Sequence, residues 1–371
     1  MSGDDFDRDV WSVLGLPVDA VDLEGAAARV RNAVQTRKKL SFVTPNVNWL
    51  VRASRDQAVR ERIVDADLSL ADGAPIVAMA KELGVPLKER CAGSDLFERL
   101  RWQDAAGRPP IRVFFFGGRE GAGDAAVMAM NSEDSNMIAC GAFNPGFGDV
   151  ASMSDQRYID FINSKRPDFV VVSLGAVKGQ AWIDANKDRV EAPVLSHLGA
   201  VIDFVAGTIE RAPEPIAASG LEWAWRIATE PSLWKRYATD GIGLAKLWPR
   251  RLAAYKSGLA SLPLRGLPKV QITGRGQASL SGDIKHDGLS AVRDVFRGIA
   301  AQDASPTLDV SQLGAVDAAF IGQVLMLQKA MRRRDMTIQM SGLDPRHAEL
   351  LRLGGIHFHC QPMRQDTPQS A

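Results

Sequence analysis

Two rhythms of apolar and polar positions alternate along the first two-thirds of the chain. Short apolar runs at residues 40–44, 67–71, 111–116, 137–140, 167–173 and 194–198 read as strands. Between them lie stretches with helical spacing, such as 49–66 and one that starts near Asp124. Strands that are apolar on both faces, separated by helices, predict a parallel sheet covered on both sides. The expected fold class is therefore α/β, with a Rossmann-like, mostly parallel sheet between two helical layers. Ligands of such sheets bind beyond the carboxyl ends of the strands. Thr44, Asp72, Gly117 and Gly175 fall at those ends.

After Arg211-Ala212-Pro213 the rhythm changes. Residues 214–256 read as a helical appendage that holds Trp223, Trp225, Trp234 and Trp248 among Arg226, Lys235, Arg236, Lys246, Arg250, Arg251 and Lys256. A Pro- and Gly-punctuated linker, 257–268, follows. A second, smaller α/β pattern then begins: strands at 270–273 and 277–281, a helix at 288–301, a strand at 307–310, a helix at 319–333, a strand at 336–340 and a helix at 345–353. The expected division is 1–256, a linker, 269–360, and a polar tail over 361–371 that should be loose.

Composition narrows the function classes. The 371 residues are 46% hydrophobic and 24% charged, with mean hydropathy −0.10, which excludes wholesale disorder and a multi-span membrane protein. Forty-five Lys and Arg against forty-four Asp and Glu leave a net charge of +1, so no global basic field suits nucleic acid. Cys91, Cys140 and Cys360 are far apart and form no CxxC pair; the five histidines form no HExxH. No metal site is expected. The acidic start lacks the apolar core of a signal peptide, and the longest apolar run, Phe169 to Val177, is too short to span a bilayer. The expected location is the cytoplasm.

Several local patterns could carry chemistry, each with a plainer alternative. Thr44-Pro45-Asn46-Val47-Asn48 offers a hydroxyl and two amides to a sugar or ribose, or supplies a helix N-cap. Asp72-Gly73 is a lone carboxylate that could act as a general base, or an ordinary turn. Gly117-Gly118-Arg119-Glu120-Gly121-Ala122-Gly123 opens a helix whose N-terminus favours an anion, or is only a tight turn. Its spacing is not GxGxxG, and no acidic residue follows about 20 positions on, so an NAD-dependent oxidoreductase is not supported. Lys178 could touch a phosphate or be a solvated loop lysine. The Trp/Arg segment suits an anionic membrane surface, or packs with snorkelling stems. No nucleic-acid module accompanies it.

Taken together and in order, these patterns resemble the WecG/TagA/CpsF family of bacterial glycosyltransferases. The resemblance rests on Thr44-Pro45-Asn46, on 67–73 ending in Asp72-Gly73, and on Glu89-Arg90-Cys91-Ala92-Gly93-Ser94-Asp95. It continues with 194–207 around Asp203, Arg211-Ala212-Pro213, Gly220-Leu221-Glu222-Trp223, Arg226, Glu230-Pro231 and Arg236-Tyr237. It covers about residues 10–245.

The resemblance implies inverting, metal-independent transfer of an N-acetylmannosamine-type or glucose-type sugar. The donor would be a UDP-sugar, with no other cofactor. The acceptor would be a polyprenyl-phosphate-linked glycan at the inner face of the cytoplasmic membrane, in surface polysaccharide synthesis. Asp72 falls on the family's proposed general base, and Thr44 with Asn46 accompanies it. Asn48, Arg90, Asp95, Gly117, Gly118, Lys178, Gln180, Asp203 and Arg211 are the further candidate substrate contacts. Arg226 and Arg236 match arginines of the appendage that closes over the site. One departure stands out. The family's Gly-x-Pro-Lys-Gln-Glu reads Gly175-Ala176-Val177-Lys178-Gly179-Gln180 here. It points to changed donor preference or weakened activity, and its alternative is a regulatory or scaffold subunit of a polysaccharide-synthesis complex.

Residues 268–360 resemble a STAS domain, through Thr307–Ser311, Val316-Asp317-Ala318-Ala319-Phe320-Ile321-Gly322, 336–342 and 350–354. In regulatory STAS domains a phosphorylatable serine follows that aspartate. Ala318 and Ala319 stand there instead, so no phosphoryl switch can operate at those positions. The implied role is constitutive docking of a protein partner or self-association; the alternative is an inert stability domain.

Overall fold

The computed structural model describes residues 4–102, 107, 109–213, 215–216 and 220–361. They divide into two units. One comprises 21–78 and 86–244, and the other 4–20, 79–85 and 245 onward.

The first unit is built on six parallel strands: β3 (Leu40–Val43), β4 (Leu68–Ser69), β5 (Ile111–Gly117), β6 (Met137–Phe143), β7 (Phe169–Ser173) and β8 (Val194–His197). Their order across the sheet is β4-β3-β8-β7-β5-β6. The period-two geometry of a strand sends alternate residues to opposite faces. Val113, Phe115, Phe169 and Val171 enter a core with α1 (Leu23–Thr36), α5 (Gly93–Trp102), α6 (Ala122–Asn131) and α9 (Val201–Val205). Phe114, Phe116, Val170 and Val172 enter the opposite core with α7 (Gln156–Ser164) and α8 (Ala176–Asn186). Trp182 of α8 stacks on Phe116 with ring centroids 4.3 Å apart, and its Nε1 donates to Met153 O at 2.8 Å.

The helix expected over 49–66 is two helices, α2 (Val47–Ala53) and α3 (Gln57–Asp65). Asp56 breaks them apart because its carboxylate accepts from the backbone N–H groups of Ala58 and Val59, capping α3. The appendage contains α10 (Glu222–Thr229) and α11 (Trp234–Leu247). No helix among the described residues is long and apolar enough to cross a membrane.

The second unit carries a five-stranded sheet in the order β13-β12-β11-β10-β9. Its strands are β9 (Lys269–Gly274), β10 (Gln277–Ile284), β11 (Thr307–Val316), β12 (Ile338–Ser341) and β13 (Phe358–Gln361). Only the β9–β10 pair is antiparallel. The final strand β13 lies in a stretch that sequence rhythm left unassigned. Helix α14 (Ala318–Arg332) is buried along almost its whole length, Ala318 and Ala319 included. A helix that is apolar all round needs cover on every side. The chain's own amino-terminal hairpin, β1 (Val10–Val13) and β2 (Leu16–Asp19), supplies it. A Cβ on Gly322 of α14 would overlap the Val10 carbonyl, so glycine is what lets the two backbones meet.

Charges seal the same place. Arg8 donates to Asp19 at 2.7 and 3.1 Å and to Asp5 at 3.0 Å, and the fully buried Lys329 of α14 donates to Asp5 at 2.7 Å. Residues 4–20 and 245–256 belong with the second sheet, and Leu252 and Tyr255 are buried there. The tail expected to be loose lies, from residue 362, outside the described residues.

Candidate active site

Backbone hydrogen bonds join three segments at the carboxyl edge of the first sheet. Leu70 N donates to Val43 O at 2.9 Å, Asp72 N to Pro45 O at 3.1 Å, and Cys91 N to Ala71 O at 2.9 Å. Thr44 and Asp72 therefore stand on adjoining strand extensions, with Arg90 alongside. Gly93 opens α5 directly against Thr44: a Cβ there would lie 3.3 Å from Thr44 Cγ2.

Asp72 keeps 22% of its side chain exposed. Burial pushes its carboxyl up to about 7, Glu222 and Asp95 push the same way, and Arg90 opposes them. Arg90 itself is shared: one terminal nitrogen is 2.6 Å from Glu222 Oε2 and 4.0 Å from Asp72 Oδ1, the other 2.7 Å from Asp95 Oδ2.

Further cations gather at this edge. Arg211 lies 3.7 Å from Asp95, and both Arg211 and Arg226 stand over the Phe204 ring, at 5.3 and 5.8 Å. Glu230 accepts from Arg226 at 2.6 Å and from Arg119 at 2.9 Å, pinning the end of α10 to the glycine-rich loop after β5. Arg236 of α11 lies over Tyr237 and 3.8 Å from Asp240, whose carboxylate accepts from Asn48 Nδ2 at 2.9 Å. Thr44 and Asp72 thus come from strand ends, Arg90 and Asp95 from the segment entering α5 and its first turn, Arg211 from the chain just before the appendage, and Arg226 and Arg236 from the appendage.

Other candidates have structural duties. Asn46 caps α2, accepting from Asn48 N at 3.1 Å. Gly117 and Gly118 adopt φ of +92° and +93°; a Cβ on Gly117 would come 2.7 Å from Ser173 O, and one on Gly118 2.8 Å from Ile202 Cδ1. Close packing between β5, β7 and α9 accounts for both glycines. Asp203 is buried and accepts from Thr208 Oγ1 at 3.3 Å, closing the turn after α9. Lys178 is tied to Gly148 O at 2.9 Å. Gln180 is buried within α8 and donates to Asp184 at 3.0 Å.

One position of that departure, residue 179, has a physical reason. A Cβ on Gly179 would overlap the imidazole of His197, at the end of β8. Glycine at 179 makes room for that ring. His197 Nε2 is buried without a partner among the described residues, and burial, helped by Arg236, pushes the imidazole down to about 4. His197, Glu222, Glu230 and Asp240 are site neighbours that sequence reading did not single out. Glu222 and Glu230 stand inside quoted motifs, but nothing local announces the pairing of Glu222 with Arg90, 132 residues away, or of Glu230 with Arg119, 111 residues away.

Residues 11–257 match the "Glycosyl transferase WecG/TagA/CpsF family", and residues 270–358 match "Mlab, STAS domain". A curated relative from Bacillus spizizenii is named N-acetylglucosaminyldiphosphoundecaprenol N-acetyl-beta-D-mannosaminyltransferase. It is 31% identical over 196 residues, covering 53% of this chain and 73% of its own. A relative of the same name from Staphylococcus aureus is 26% identical over 226 residues, covering 60% of this chain and 85% of its own.

Proposed function

Because the chain belongs to the WecG/TagA/CpsF family of glycosyltransferases and carries a STAS domain, we propose that it moves a sugar, with inversion, from a UDP-sugar to a polyprenyl-linked glycan. The sugar would be of the N-acetylmannosamine or glucose type. The step would serve surface-polymer synthesis at the inner face of the membrane. The relatives' names specify an N-acetylglucosaminyl-diphospho-lipid acceptor, which supports a lipid-linked acceptor here.

The observation that carries the reading is Asp72: a carboxylate at a strand end, partly open, held at about 7, beside Arg90. A general base works best when its pKa lies near the working pH. The acceptor hydroxyl attacks the anomeric carbon and its proton passes to Asp72. The bond from that carbon to the diphosphate oxygen breaks, and the electron pair leaves with UDP. Arg211, Arg226 and Arg236 would meet the charge that develops on the diphosphate. On this reading Thr44 and Asn48 would bond sugar hydroxyls. Exposed Trp223 and Trp234, with Lys235 and Arg236, suit contact with an anionic membrane surface. The STAS domain would dock a partner constitutively, since Ala318 and Ala319 offer no phosphorylatable hydroxyl.

Calorimetric titration with UDP, with NAD as the control, followed by turnover of UDP-N-acetylmannosamine and UDP-glucose on a lipid-linked acceptor, tests this. UDP binding and transfer from either donor support it. Absence of UDP binding would overturn the donor assignment and favour the scaffold role that the Gly179-Gln180 departure suggests.

A further inference from the structure

The structure assigns Glu222 as a positioning residue for Asp72: from the first turn of α10 it holds Arg90 away from the base. This rests on the reading of Asp72 as the base, and adds the device that keeps it basic.

The argument starts from a shortage. One guanidinium faces three carboxylates. Asp95 and Glu222 take its two terminal nitrogens at 2.7 and 2.6 Å, and Asp72 is left at 4.0 Å. A carboxylate paired directly with a guanidinium is held in its charged form and is a poor proton acceptor. With Glu222 in place, Asp72 feels Arg90 only at a distance and feels Glu222 as a like charge. Both effects keep it receptive to a proton.

The groups around Asp72 come from two sides. Arg90, Cys91 and Asp95 lie on the segment entering α5, with Arg211 behind Asp95; Glu222 of α10 and Tyr237 of α11 come from the appendage. Of these, Glu222 alone combines a hydrogen bond to the Arg90 nitrogen nearest Asp72 with a place on the appendage. Docking of α10 and basicity of Asp72 are thereby linked through one side chain.

The test is the pH dependence of kcat/KM in the full-length enzyme. The wild type should show an acid limb near the Asp72 value, and Asp72→Asn should remove that limb with the activity. In Glu222→Gln, the charged hold on the Arg90 nitrogen nearest Asp72 is lost, while Asp95 keeps the other, so that nitrogen can turn towards Asp72. The limb should move to lower pH by roughly one unit or more, and the plateau rate should fall severalfold. Glu222→Asp, which keeps the charge, should restore part of the shift. Glu230→Gln is the control, because Glu230 pins the other end of α10 without facing Asp72. It should lower activity without moving the limb.

A Glu222→Gln limb that stays in place overturns the assignment, as does a Glu230→Gln limb that moves equally, which would mean that both carboxylates merely hold the helix. A wild type without the limb, or transfer that persists in Asp72→Asn, would instead overturn the reading of Asp72 itself.

Discussion

The His197 ring occupies the space that a side chain at residue 179 would need, so these two residues, from α8 and the end of β8, are fitted to each other. In a helix interior, Gly→Ala ordinarily stabilises by about 0.5–1 kcal/mol. Here the added methyl meets the imidazole, and overpacking of this kind costs about 1–3 kcal/mol. Gly179→Ala should therefore lower the thermal midpoint in the wild type, and raise it in a His197→Ala background. Equal effects in both backgrounds would show that the ring does not fill that space.

Asp72 should cost the fold stability at the pH where it serves catalysis. Its folded pKa, about 7, is raised above the ordinary 3.8. The folded state therefore binds the proton more tightly. The associated stability is fully present below about pH 4 and is lost as pH rises to 7. Asp72→Asn removes this dependence. It should be inactive in transfer, yet more stable than the wild type by roughly 2–4 kcal/mol above pH 7, with the gain vanishing towards pH 4. Denaturant midpoints measured across that range check the sign; a gain that grows towards acid would contradict it.

Trp223 and Trp234 are about half exposed, next to the cations of the appendage. Replacing both by alanine should weaken co-sedimentation with phosphatidylglycerol vesicles by roughly tenfold, and leave the slight binding to neutral vesicles unchanged. Undiminished binding to the anionic vesicles would remove these residues from a membrane role.

Lys329 is fully buried and answered by Asp5. Asp5→Asn breaks this buried ion pair, and such losses cost about 3–5 kcal/mol. The thermal midpoint of the full chain should fall accordingly. Asp5 is held below its ordinary range by Lys329 and Arg8, against the effect of burial. The stability from this pairing is therefore present above the ordinary carboxylate pKa and lost as pH falls below it. The penalty of Asp5→Asn should shrink in acid; a penalty constant down to pH 3 would exclude the ion pair as its source.

Much of the fold is legible in the sequence because it is encoded by near neighbours. The alternation through 113–116, with Val113 and Phe115 in one core and Phe114 and Phe116 in the other, is a strand's own period. The apolar run before Asp72 and the turn after it place that carboxylate at a strand end without any knowledge of the chain's path. The same local logic puts Thr44 at the end of β3 and the arginines on the helices after residue 213.

Local pattern is thus enough for the layered sheet, the strand-end location of the site and the kinds of side chain gathered there. Tertiary structure alone decided how those side chains are shared. Glu222, rather than Asp72, takes the nearer Arg90 hydrogen bond; His197 claims the space beside Gly179; and residues 4–20 cover α14 although they begin the chain. Each outcome depends on groups separated by tens to hundreds of residues. Periodicity and motif spacing carry information over one or two turns of helix or strand, whereas charge pairing and close packing are settled by distance in space after the chain has folded.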